Sequence, residues 1–256
     1  MVRFFLILFT LALTVYPEDM EISKLFLEKV ITGTIVISSL DGKTDYVYND
    51  SCSRMRILPA STFKIPNTLI ALEEGVIKSD SEVIKWDGVL REFPDWNKDQ
   101  TLKTAFQYSC VWVYQLFAQK VGTEKYRHYV SKLDYGNKQI GDNVTTFWLE
   151  GPFGISAREQ VDFLRKLVLG KLPFPQNNID LLKKIMIVEK NADYVIRAKT
   201  GWTARVTHQY GWYVGYVENR KSTWIFAANL KIRNQQDLAL RKDLTFAALK
   251  VKKIIQ

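Results

Sequence analysis

Segments with strand character lie at the two ends of this 256-residue chain, and helical periodicity fills the middle. Residues 20–30 place Ile22, Leu25, Phe26 and Val30 at helical spacing. Residues 32–37 are β-rich and end at the turn signal Asp41-Gly42, after which residues 45–48 alternate as a returning strand. A helix opens around Ser61 and closes at Gly75; Pro66 leaves the Thr62 carbonyl without a partner, so the turn bearing Ser61 is expected to be tight or irregular. Residues 102–120, 123–133 and 156–169 carry apolar residues three to four apart, the last behind the capping box Ser156-Ala157-Arg158-Glu159. From residue 193 the pattern returns to strands, at 195–200, 210–217 and 223–230, with a hairpin turn at Glu218-Asn219-Arg220. Residues 238–255 close the chain as an amphipathic helix. Strands this far apart in sequence imply one sheet assembled from both ends. The expected class is α/β of the α+β type: a mixed, mainly antiparallel sheet flanked by helices. A helical lobe (about residues 60–190) would be inserted into a sheet lobe (about 20–58 plus 193–256), with a substrate cleft between them.

Bulk composition narrows the function classes. With 47% hydrophobic and 13% aromatic residues and no Pro/Gly/Ser-rich linker, residues 18–256 read as one ordered globular domain. The net charge is +9, but the lysines are scattered and form no aromatic-interleaved stripe. A nucleic-acid partner is therefore not expected, whereas attraction of small anionic substrates is. His128 and His208 lie 80 residues apart without metal-ligand spacing, so no metal is expected. Cys52 and Cys110 permit one disulfide, but Cys110 sits in an aliphatic run where a buried free thiol is the ordinary outcome. At the N-terminus Arg3 precedes an apolar run over residues 4–15, too short for a membrane span of about 20 residues. Residues 1–17 are expected to be a secretory signal peptide, which points to the periplasm or the exterior.

The chemistry concentrates on Ser61-Thr62-Phe63-Lys64. Three residues apart on a helical turn, the hydroxyl and the amine face the same way, the minimum for a serine nucleophile beside a base. A free lysine with a pKa of about 10.4 is a cation at neutral pH, so the chemistry needs a buried, neutral Lys64 or a chemically altered one. Four further motifs follow in order: Ser109-Cys110-Val111, Tyr135-Gly136-Asn137, Phe147-Trp148-Leu149-Glu150-Gly151 and Lys199-Thr200-Gly201. Together, across about residues 20–256, the five resemble the class D β-lactamases, the oxacillinases of the serine β-lactamase/transpeptidase fold.

That resemblance implies hydrolysis of β-lactam antibiotics through an acyl-enzyme on Ser61, and hence antibiotic resistance. It implies that Lys64 is carboxylated by dissolved carbon dioxide and serves as base in acylation and deacylation, with no other cofactor. Phe63, Val111, Trp148 and Leu149 would keep the site dry, and the Trp148 indole N–H would steady the carbamate. The backbone amides of Ser61 and Trp202 would form the oxyanion hole. Ser109 would relay a proton to the leaving nitrogen, polarised by Lys199. Thr200, Gly201 and Arg241 would bind substrate, Arg241 taking its carboxylate. A monomer or homodimer without a stable membrane span is expected. Two rivals share parts of this pattern: a covalent penicillin-binding sensor and a cell-wall transpeptidase or carboxypeptidase. The Tyr-Gly-Asn and Phe-Trp-Leu-Glu segments favour the lactamase.

Overall fold

The computed structural model describes residues 18–256, so the expected signal peptide lies outside the described residues. Asp19 caps α1 (Met20–Glu28) by accepting from the Glu21 and Ile22 amides. Strands β1 (Gly33–Ser39) and β2 (Asp45–Tyr48) form the expected hairpin around Gly42, whose φ of 73° suits the turn. A short α2 (Asp50–Arg54) follows. The expected irregular turn is a 3-10 turn at Ala60–Phe63, running into α3 (Lys64–Glu73). The two-residue strands β3 (Val83–Ile84) and β4 (Gln100–Thr101) bracket a long loop.

Helices α4 (Leu102–Gln107), α5 (Val111–Val121), α6 (Thr123–Leu133), α7 (Phe147–Glu150), α8 (Ala157–Val168) and α9 (Gln176–Ile185) fill the middle. The capping box before α8 is present in both directions between Ser156 and Glu159. Then come β5 (Ile187–Lys190), β6 (Tyr194–Trp202), β7 (Tyr210–Asn219), β8 (Thr223–Lys231) and α10 (Asp237–Val251).

The six long strands form one sheet in the order β2-β1-β8-β7-β6-β5, with every neighbouring pair antiparallel. Pairing of β1 with β8, Ile35 opposite Ala228, is what joins the two chain ends. Alternation along β1 then sorts side chains between two cores. Ile35 and Ile37 pack with Ile22 and Phe26 of α1 and Leu244 and Leu249 of α10, whereas Val36 packs into the helical side with Leu69, Val113 and Leu164. No helix of the described residues is long and apolar enough to cross a membrane.

Three expectations are corrected. The single helix expected over 102–120 is two, α4 and α5, broken at Tyr108–Cys110. The Cys110 amide donates to the Ala105 carbonyl at 2.8 Å and the Ser109 amide to Phe106 at 3.2 Å, closing α4 with Ser109 in the left-handed region at φ 55°. Strand character resumes earlier than residue 193, because β5 pairs with β6 across a bulge at Ile187/Glu189. The last helix stops at Val251, where Lys253 turns to φ 55° and Ile254 and Ile255 fold back into the core.

Tyr135-Gly136-Asn137 acts as a clasp. Gly136 has φ 60°, and a Cβ there would stand 2.3 Å from the Gly154 carbonyl oxygen. The Asn137 side chain donates to the Pro152 carbonyl at 2.8 Å and accepts from the Gly154 amide at 3.1 Å, fixing the segment that leaves α7. Gly136→Ala is expected to cost about 1–3 kcal/mol of stability, as strain and clash coincide; urea unfolding of the two proteins measures it.

Candidate active site

The 3-10 turn holds Ser61 with its side chain partly exposed and Lys64 wholly buried beneath it. The Lys64 Nζ to Ser61 Oγ separation is 3.0 Å, hydrogen-bond reach for proton transfer. Ala60, directly before the serine, has φ 47°, a strained conformation for a residue with a Cβ. Buried polar groups hold the turn. Thr62 Oγ1 donates to the Pro59 carbonyl at 2.8 Å and accepts from Gln160 Nε2 at 2.9 Å, and Gln160 Oε1 accepts from the Tyr135 hydroxyl at 3.3 Å. Gln160 was not anticipated as a support; its signal in the sequence is a glutamine on the apolar face of α8.

Aromatic rings cluster on Phe63, next to Lys64 in the chain. Phe63 has five rings within reach: Phe147 at 5.0 Å, Phe153 at 5.5 Å, Trp148 at 5.7 Å, Tyr135 at 5.8 Å and Tyr126 at 6.3 Å. The motifs around Tyr135 and Trp148, both far from Phe63 in sequence, thus meet on its side chain. Tyr114 adds its ring 4.9 Å below Lys64 Nζ, with its hydroxyl 2.9 Å from Thr68 Oγ1. Burial pushes the Lys64 amine down to about 7, a smaller effect of Cys110 working the other way. The Trp148 indole N–H is fully buried and has no hydrogen-bond acceptor among the described residues. Cys52 and Cys110 are both unbridged, and burial pushes the Cys110 thiol up to about 11.

Above the serine, the Lys199 amine is hydrogen-bonded to Ser109 Oγ, so the break between α4 and α5 is pinned to β6. Burial holds Lys199 well below the ordinary lysine range, and the charges of Lys64, Arg241 and Lys242 push it further. Strand β5 pairs with β6 as far as Arg197 and the Ala198 amide still donates to the Met186 carbonyl at 2.9 Å, leaving the edge of β6 beyond Ala198 open. Gly201 lets that edge approach the turn bearing Ser61, since a Cβ would lie 2.9 Å from the Pro59 carbonyl oxygen and 3.1 Å from Thr62 Cγ2. The Thr203 amide donates back to Tyr210 of β7 at 3.0 Å. By strand alternation the Trp202 amide points the other way, off the open edge.

Arg241, on α10, donates from Nη1 to the Gly201 carbonyl and from Nε to the Leu238 carbonyl, each at 2.7 Å. Burial lowers its guanidinium to about 10. Its stem crosses Gly211 of β7, where a Cβ would come within 2.6 Å of Arg241 Cδ. Lys242, the alternative one residue on, is exposed. Ser61, Ser109, Val111, Leu149, Thr200, Gly201, Trp202 and Arg241 all line one cleft of about 880 Å³, in the size range of small-molecule sites. Lys64, Trp148 and Lys199 lie beneath it, buried. A further part of the lining, Glu92, Phe93, Asp95, Trp96 and Tyr108, was not foreseen, because the loop that carries most of it has no periodicity to read.

The same architecture occurs in known proteins. The family model for the penicillin-binding protein transpeptidase domain matches residues 32–255. β-Lactamase OXA-48 of Klebsiella pneumoniae is 43% identical over 240 residues, covering 94% of this chain and 91% of that protein. OXA-20 of Pseudomonas aeruginosa is 41% identical over 91% of this chain and 87% of its own. Among solved structures, the class D β-lactamase YbXI from Nostoc superposes with a TM-score of 0.89 at 43% identity, covering 91% of this chain and 98% of that one. FUS-1 (OXA-85) from Fusobacterium nucleatum gives 0.91 at 37% identity, covering 94% and 100%. Sharing fold and sequence with these enzymes over nearly its whole described length, the chain belongs to the class D β-lactamases, hydrolases that act on cyclic amides.

Proposed function

We propose that this protein hydrolyses β-lactam antibiotics through an acyl-enzyme on Ser61, with Lys64 carboxylated on its amine, and so confers resistance on a bacterium that exports it to the periplasm or beyond. The observation that carries the reading is a buried Lys64, its amine near neutrality at about 7 and 3.0 Å from Ser61 Oγ, beside an indole N–H that lacks an acceptor. A neutral amine can attack carbon dioxide, forming an N–C bond and releasing a proton. The product is an anion that the orphaned Trp148 donor and the ring-lined surroundings fit. When formed, the carbamate supplies an oxygen that takes the Ser61 proton during attack, and a water's proton during deacylation.

The remaining residues divide the work. Ser61 Oγ attacks the lactam carbonyl, and the Ser61 and Trp202 amides receive the developing oxyanion, each such donor being worth about 3 kcal/mol. Ser109, held by Lys199, hands a proton to the lactam nitrogen as the C–N bond breaks. Arg241 and Thr200 hold the substrate carboxylate, with Gly201 giving the strand its close approach. A second reading, in which the uncarboxylated Lys64 amine takes the proton itself, is favoured by the same 3.0 Å contact.

A chromogenic cephalosporin tests the class: sustained turnover is expected, and a single stoichiometric burst would mark a sensor or transpeptidase. Bicarbonate separates the two readings of Lys64. Activity lost on acidification and degassing is expected to return with bicarbonate, and indifference to it would leave the bare amine as base. Since the amine must be neutral to react, the bicarbonate needed for half-activation is expected to rise as pH falls through about 7. Ser109 gives a further prediction. Its left-handed φ of 55° suits glycine better, but Ser109→Gly also removes the hydroxyl bonded to the buried Lys199 amine, a loss of about 1–3 kcal/mol that outweighs the relief of strain, so both stability and turnover are expected to fall. Thermal unfolding and steady-state kinetics on one preparation check both signs.

A further inference from the structure

The cleft is lined by charges of both signs, and most of them are already neutralised. Arg205 stands 3.6 Å from Glu150, Arg233 is held by Asp237 at 2.8 Å, and Asp95 is held by Lys98 at 2.7 Å. Two charges remain. Arg241 has only main-chain carbonyls as partners. Glu92, exposed in the lining of the same cleft, makes no hydrogen bond or ion pair among the described residues. One open cation and one open anion therefore line a single cleft with the nucleophile.

The wall around Glu92 is also pre-shaped. The Trp96 indole N–H donates to the Tyr108 carbonyl at 2.9 Å, and the Trp112 indole N–H donates to the Trp96 carbonyl at 3.0 Å. Phe93 packs on Trp96 with ring centroids 4.7 Å apart. Locked aromatic faces beside a carboxylate attract an organic cation and repel an anion. On a protein whose net charge is +9, this negative spot runs against the general field.

We propose that Glu92 is a specificity-determining residue that favours β-lactams whose acyl side chain carries a protonated amine, over those carrying a second carboxylate there. The inference rests on the β-lactamase reading: substrate bound to Ser61 places its own carboxylate toward Arg241 and its acyl side chain toward Phe93, Trp96 and Glu92. The substrate class is thus zwitterionic penicillins and cephalosporins. Because Glu92 is solvent-exposed, the effect is modest and screened by salt.

The test compares kcat/KM for ampicillin (amine on the side chain), benzylpenicillin (uncharged side chain) and carbenicillin (carboxylate on the side chain). The three are measured with the wild type, Glu92→Gln and Glu92→Lys, at low and high salt. Going from wild type to Glu92→Gln, the ampicillin-to-carbenicillin ratio is expected to fall roughly three- to tenfold at low salt. Glu92→Lys should lower it further, and high salt should shrink both changes. Ratios that stay the same across all three proteins, while benzylpenicillin is still turned over, would overturn the role of Glu92 and leave the enzymatic reading standing. Absence of turnover of any penicillin by the wild type would overturn both.

Discussion

Replacing Lys64 with alanine is expected to reduce kcat for β-lactam hydrolysis by a factor of roughly 10³ or more and to leave the protein acylated on Ser61. General acid–base groups contribute on the order of 10²–10⁴ each, and Lys64 is assigned to both half-reactions. Acylation retains the lactam's ring strain and the oxyanion donors as driving forces. Deacylation has to activate a water, so it is the step expected to suffer more. Intact-protein mass spectrometry after brief exposure to a penicillin reads this out, as a population carrying the whole antibiotic.

A fold-level explanation is separated by Lys64→Met, which restores most of the buried volume without the amine. Burying an amine costs stability that a methionine does not incur. The free amine titrates near 7 in the folded protein and at 10.5 when unfolded. Between these values the unfolded chain binds a proton that the folded one lacks, so wild-type stability should rise with pH across that window. Lys64→Met should lose the Lys64 share of this rise while the buried Lys199 keeps its own, be at least as stable as the wild type in carbon dioxide-free buffer near pH 7, and be inactive. Either variant retaining more than about a tenth of wild-type turnover would remove Lys64 from the mechanism.

How much of this site could be read from sequence depended on whether its determinants were local. Ser61 and Lys64 lie one turn apart, and the capping box at Ser156 and Glu159 is equally short-range; both were legible. The sheet followed from β-rich ends, although pairing of Ile35 with Ala228 spans the chain. The break at Ser109 was hidden, because Phe106, Cys110, Val113 and Phe117 continue a helical stripe straight through it. What stops the helix is a closure onto Ala105 and a bond from Lys199, ninety positions away. Choosing Arg241 over Lys242 was a matter of motif alone. The physical reason for that side chain's path, a glycine at 211 that leaves room for its stem, sits on a different strand. Glu92 belongs to a loop held by side-chain bonds, such as Asn97 accepting from the Arg91 amide and donating to the Arg91 carbonyl, and nothing in its pattern announces a wall of the cleft.

Trp148→Phe asks whether the unpaired indole nitrogen is a functional vacancy or a packing cost. A buried donor without an acceptor costs about 1–3 kcal/mol, so a nitrogen with no task should be lost at a gain in stability. Phenylalanine would still stack on Phe63, now 5.7 Å away, and meet the edge of Phe147 at 5.1 Å. If the nitrogen donates to a carbamate, a hydrogen bond to an anion worth about 1.5–3 kcal/mol disappears instead, and the bicarbonate needed for half-activation should rise roughly 10- to 150-fold. Carbon-13 NMR with labelled bicarbonate gives a reading independent of turnover: a carbamate signal in the wild type, absent from Trp148→Phe at the same bicarbonate and restored at high concentration. A variant that is more stable, equally active and unchanged in its bicarbonate response would show that the indole nitrogen serves packing alone. A carboxylated Lys64, if formed, would then have to be held by a donor other than the Trp148 indole.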